Sequence, residues 1–93
     1  IELDDIEINL EALEPVQEAA VVVDKDTSQL NAFVVLRENY PQNTFHAGVL
    51  KQLCAKSLAA IMVPQNIYYL SAMPRTTSGK KDRKILTSEM SIA

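Results

Sequence analysis

Leu3, Ile6, Leu10 and Leu13 recur three or four residues apart, the spacing of one helix face. Asp4 can cap the start of that helix, with Glu7 three places on in capping-box position. Asp5 and Glu7 sit in the first turn, where the helix dipole favours acids. Pro15 stops continuation, so the pattern predicts a helix over about Asp5 to Leu13 whose acids face water. The period then changes. Glu18 to Asp24 contains Ala19-Ala20-Val21-Val22-Val23, a short β-branched run that reads as a strand buried on both faces. Lys25 to Gln29 is turn chemistry, and Leu30 to Arg37 is a second strand. So short a link makes the two an antiparallel hairpin.

Glu38 to Thr44 reads as a loop, and Thr44 can cap a following helix. Val49, Leu50, Leu53, Cys54, Ser57, Leu58 and Ile61 line one side of that helix. Pro64 ends it, since a residue before proline is biased away from the α region. Asn66 to Leu70 predicts a third strand, with Tyr68 and Tyr69 on opposite faces filling a core or covering a sheet edge. Asp82 to Met90 predicts a closing helix capped by Asp82, with Ile85, Leu86 and Met90 packing inward. The order is α-β-β-α-β-α, an α+β fold in which a small three-stranded sheet is covered by helices.

Size and charge narrow the picture. Ninety-three residues make one domain at most. The 47% apolar content is ordinary for a globular chain, and no apolar run approaches a membrane span. The single cysteine, Cys54, excludes an internal disulfide, fits a reducing cytoplasmic compartment and reads as a small core residue. His46 has no Cys or second His beside it and reads as a surface histidine. Zinc-site, P-loop and hydrolase spacings are absent, and no metal ligand is assigned. Net charge is −3, but acids crowd the first part of the chain and bases the last. An acidic body with a local basic loop suits a specific anionic ligand better than nucleic acid.

That loop is Met73-Pro74-Arg75-Thr76-Thr77-Ser78-Gly79-Lys80-Lys81-Asp82-Arg83-Lys84. It holds five of the nine basic residues and one of the two glycines. The ordinary reading of such a run is a solvated turn. Its order, however, resembles the last core motif of the adenylate-forming enzymes: acyl-CoA synthetases, luciferases and the adenylation domains of nonribosomal peptide synthetases. That motif reads roughly Leu-Pro-x-Thr-x-x-Gly-Lys-x-x-Arg, and Met73 stands here where Leu is usual. Ile1-Glu2-Leu3-Asp4-Asp5-Ile6-Glu7 resembles the end of the family's eighth core motif, with Asp5 in place of the usual Glu.

The resemblance implies a mobile C-terminal subdomain spanning residues 1–93, with Lys80 as the catalytic cation and Thr77, Ser78 and Gly79 forming the loop nearest the nucleotide. Composition alone does not separate Lys80 from Lys81. Ile1, Glu2 and Leu3 are the candidates for a second, thiolation face. A large N-terminal subdomain, absent from this chain, would hold most of the ATP and Mg2+ site. The chain opens inside a motif, so residues upstream are expected to belong to the same protein, and this piece alone is expected to be inactive. The whole enzyme would be an AMP-forming ligase that passes an acyl or aminoacyl group to a phosphopantetheine thiol. Lys81-Asp82-Arg83-Lys84 and the Ile1-Glu2-Leu3 opening look more like the amino-acid-activating branch, whose partner is a carrier protein. Neither nucleic acid nor membrane is expected as a partner. An acyl-CoA synthetase using CoA, or a non-catalytic module gripping an acidic partner, are the alternatives. On this reading Lys80→Ala damages adenylation, whereas Lys81→Ala is mild.

Overall fold

The computed structural model describes residues 2–59 and 62–90, with backbone alone for 88–90. Its elements follow the predicted order: α1 Leu3–Glu11, β1 Val16–Val23, β2 Leu30–Leu36, α2 Ala47–Ala55, β3 Asn66–Tyr69 and α3 Arg83–Met90. The sheet is ordered β1-β2-β3. The β1–β2 pair is the predicted antiparallel hairpin, and β3 adds in parallel to β2 after the α2 crossover. The 25–29 turn is built from its own side chains: Asp24 Oδ1 accepts from the backbone N–H groups of Asp26 and Thr27, and Thr27 Oγ1 from that of Gln29. Ser28 takes φ 60 to close it.

Alternation along the strands divides the core in two. Val16, Ala19, Val21, Leu30, Ala32, Val34 and Ile67 face α1 and α2, where they meet Ile6, Leu10, Leu50 and Cys54. Ala20, Val22, Phe33 and Val35 face the other way, onto Met73 and the α3 residue Leu86. Strict period-2 alternation would put Val16 on the second face with Ala20 and Val22. A register shift between Val16 and Glu18 turns it to the first. The two tyrosines do point to opposite faces. Tyr68 stacks on Phe33 at 5.2 Å between ring centroids, while the Tyr69 hydroxyl donates to Phe45 O at 2.6 Å.

Five local expectations are corrected. The N-cap of α1 is Glu2, in extended conformation and without a side-chain cap bond, so Asp4 lies inside the helix. Glu7 makes no capping box; it is 5% exposed and turned towards β1. The cap of α2 is His46, whose Nδ1 accepts from Gly48 N–H at 3.2 Å. Thr44 lies two residues upstream, in a turn where its own N–H and that of Phe45 donate to Pro41 O, and the first helical bonds close on His46 O. The helix ends at Ala55, well before Pro64, as the N–H groups of Ser57 and Leu58 both turn back to Cys54 O. In α3 Leu86 is buried but Ile85 is 43% exposed. Arg83 and Leu86 share one helix face, and the pairing of Arg83 with Glu7 turns that face inward. The expected inward packing of Ile61 and Met90 falls outside the described residues and side chains.

Candidate functional site

The basic run folds as a small hairpin. Arg75 and Lys81 form an antiparallel bridge. Thr76 N–H donates to Lys80 O at 2.7 Å, and Gly79 N–H to Thr76 O at 2.9 Å. This is a tight turn followed by a residue in the left-handed region, a combination that closes three-residue hairpins. That residue is Gly79, with φ 87. A Cβ placed there would meet nothing within 4 Å, so backbone conformation rather than space calls for glycine. The hydroxyls brace the turn: Thr76 Oγ1 lies 3.0 Å from Ser78 Oγ and accepts from Lys80 N–H at 3.3 Å. Below it, Asp82 N–H donates to Pro74 O, and Asp82 Oδ1 accepts from Ile85 N–H at 3.2 Å, starting α3 as expected.

Three of the loop's cations are tied to this domain. Arg75 pairs with Glu18 and also reaches Gly79 O at 3.5 Å. Lys81 Nζ donates to Glu11 Oε2 at 2.9 Å and to Ala19 O at 2.5 Å, and stands 3.6 Å from Glu7 Oε1. Arg83 Nη2 reaches Glu7 Oε1 at 2.5 Å and Oε2 at 2.6 Å. Lys80 is different. Its side chain is exposed, and among the described residues its ammonium has no hydrogen-bond or ion-pair partner. Thr77, Ser78 and Gly79 are exposed beside it at the tip. The geometry therefore separates two lysines that composition could not.

Residues 5–80 match the AMP-binding enzyme C-terminal domain. The chain belongs to that family. It is 35% identical, over 97% of its length, to a D-alanine--D-alanyl carrier protein ligase of Lacticaseibacillus rhamnosus, and covers 19% of that protein. It is 36% identical, over 92% of its length, to surfactin synthase subunit 3 of Bacillus subtilis, covering 7% of it. An acyl-CoA synthetase of Brucella canis superposes with a TM-score of 0.87 at 32% identity, over 99% of this chain and 18% of that one. The chain thus spans a fifth or less of the length of the curated relatives named here.

Within this AMP-binding C-terminal domain, the other predicted positions fare unevenly. Glu2 is exposed at the start of α1, its carbonyl accepting from Asp5 N–H at 3.1 Å. Leu3 is half-buried and packs against the first core cluster. Ile1 lies outside the described residues. Among the described residues, no hydrogen bond joins Glu2 or Leu3 to the Lys80 hairpin. No three His, Cys, Asp or Glu side chains among the described residues converge as metal ligands would. No helix there is long and apolar enough to cross a membrane.

Two residues that sequence reasoning set aside belong to the site's foundation. Glu7 and Glu11 do not form a solvated face; they receive Lys81, and Glu7 also receives Arg83. Their helical positions border the Leu3-Ile6-Leu10 stripe, a signal that was present in the spacing. Lys81 is correspondingly no ordinary solvated cation: its side chain is 16% exposed and paired, which removes the ground for expecting a mild Lys81→Ala.

Proposed function

We propose that this domain is the mobile lid of a larger AMP-forming ligase, and that Lys80 is the cation it delivers to the nucleotide. In the reaction a substrate carboxylate oxygen bonds to the α-phosphorus of ATP, the bond to the bridging oxygen breaks, and pyrophosphate leaves. Two anions must meet, and negative charge grows on the phosphoryl oxygens. A lysine ammonium on a long stem, brought into a water-poor cleft, offsets both difficulties. The supporting observation is the contrast within one loop: Lys80 reaches outward while Arg75, Lys81 and Arg83 are held by carboxylates of the same domain. A magnesium ion accompanying the nucleotide would take its protein ligands from a larger N-terminal domain. That domain would also hold the acyl pocket. After adenylation the hairpin withdraws, and the face carrying Glu2 and Leu3 admits a phosphopantetheine thiol, whose sulfur attacks the acyl carbon and releases AMP.

A carrier-protein thiol is the favoured acceptor over CoA. It is supported by the likeness to a carrier protein ligase and by Asp82 ahead of Arg83. The enzyme would act in the cytoplasm. A purely electrostatic gripping module is less well supported, because most of the loop's cations already have partners inside the domain.

The test uses the full-length protein. Lys80→Ala is expected to depress ATP–pyrophosphate exchange by about 10²–10³-fold, the scale of losing one electrostatic stabiliser. Thiol acylation from supplied acyl-adenylate is expected to persist. Equal loss in both half-reactions would contradict the proposal.

A further inference from the structure

Among the described residues the outer edge of β1 has no strand neighbour, and side chains take that neighbour's place. Val21 N–H donates to Glu7 Oε2 at 2.8 Å and Ala19 N–H to Glu11 Oε2 at 3.1 Å, while Ala19 O accepts from Lys81 Nζ. An open edge row of donors and acceptors is thereby satisfied. The same two carboxylates hold the base of the hairpin, because Lys81 reaches both and Arg83 ends on Glu7. Glu7 is the common point. It touches β1, Lys81 and Arg83 at once, and its side chain is 6% exposed. Arg83 grips it through Nη2 on both oxygens and through Nε at 3.2 Å, so the contact fixes orientation as well as distance.

We propose that Glu7 is the positioning residue of the Lys80 hairpin, holding Lys81 and Arg83 against the β1 edge and so fixing the direction in which Lys80 leaves the domain. This rests on the reading of Lys80 given above. Lys81 pairs with Arg75 at the base of the hairpin, while Lys80 lies in the bend that follows Gly79. With Lys81 drawn inward to Glu7 and Glu11, Lys80 is turned outward. With the inner contact cut, the segment can roll about its axis and Lys80 loses its fixed aim, although its own chemistry is intact.

In the full-length protein, Glu7→Gln keeps the side chain's size and one acceptor but removes the charge that holds both cations. ATP–pyrophosphate exchange is expected to fall about 10–100-fold, the scale reached when a reacting group is misplaced by about an ångström. Thiol acylation from supplied acyl-adenylate, which does not use the hairpin, is expected to be unchanged. In the Lys80→Ala background, Glu7→Gln is expected to cause no further loss, because it acts only through that lysine. The inference is overturned if Glu7→Gln leaves exchange intact, lowers both half-reactions together, or lowers exchange further when Lys80 is already gone. If Glu7→Gln fails to accumulate as folded protein, Lys81→Met, which keeps a buried stem of similar length, carries the same three comparisons. Full exchange activity in Lys80→Ala alone would instead overturn the underlying reading.

Discussion

Lys80 and Lys81 are neighbours with the same side chain and opposite surroundings. The Lys80 side chain is exposed and makes no hydrogen bond or ion pair among the described residues, so its truncation should leave stability within about 0.5 kcal/mol, as for ordinary surface sites. Lys81 is three-quarters or more enclosed and satisfies Glu11 and Ala19 O. Its truncation strands both, at a cost of about 1–3 kcal/mol for buried polar groups left unpaired. Thermal denaturation should therefore show Lys81→Ala clearly less stable than Lys80→Ala, and equal midpoints would contradict the assignment of inner and outer lysine. The asymmetry was not legible from composition. It depends on carboxylates more than sixty positions earlier, and tertiary pairing over such separations leaves no local trace. Gly79, by contrast, carries a local cause: its φ of 87 is a backbone state that glycine adopts without strain.

At the scale of elements, the strands could be read because each carries its own pattern. Val21-Val22-Val23 and Phe33-Val34-Val35 supply the β-branched and aromatic content, and Asp24 and Thr27 supply the turn between them. Helix ends were read less well. Thr44 and Asp4 are good caps by type, but the Pro41 turn and the backbone of Glu2 decide where α2 and α1 start. The reading of Cys54 as a core residue agrees with the structure: it is fully buried between α2 and the sheet, and burial pushes its thiol above the ordinary value. The folded state then keeps a proton that the unfolded chain would release. That contribution to stability is complete below the ordinary thiol range, about pH 8.5, and is lost as pH rises through the raised folded value. Tyr69 behaves in the same sense at higher pH. Alkylation of Cys54 in the folded protein, mapped by mass spectrometry, should stay slow at pH 8–9 and become fast only on denaturation. Rapid native alkylation at pH 8 would mean that α2 does not cover it as described.

At the scale of the whole molecule, a two-sided core gives so small a domain a firm base for the hairpin, as the proposed role of a carrier requires. α1 and α2 cover one face, while Met73 and α3 close the other, and the hairpin emerges between Met73 and α3. Each end of the loop is thus anchored in the second core cluster, at Met73 and Leu86, and its tip is the part left in solvent. On the proposed reading, such a lid would supply a group to a cleft it does not itself contain. This domain alone, mixed with ATP, pyrophosphate and any carboxylic acid, is accordingly expected to show no exchange, and measurable exchange would place a complete nucleotide site within these residues.

The most direct test follows the ammonium itself. Full-length protein is labelled with trace acetic anhydride, and the acetylation of each lysine is read by mass spectrometry. Lys80 should label readily in the free enzyme, be protected when ATP and a non-reacting analogue of the acid are bound, and label again when acyl-adenylate and thiol acceptor are present, with Lys81 protected throughout. Equal labelling of Lys80 in all three states, or protection of Lys80 in the free enzyme, would contradict the account.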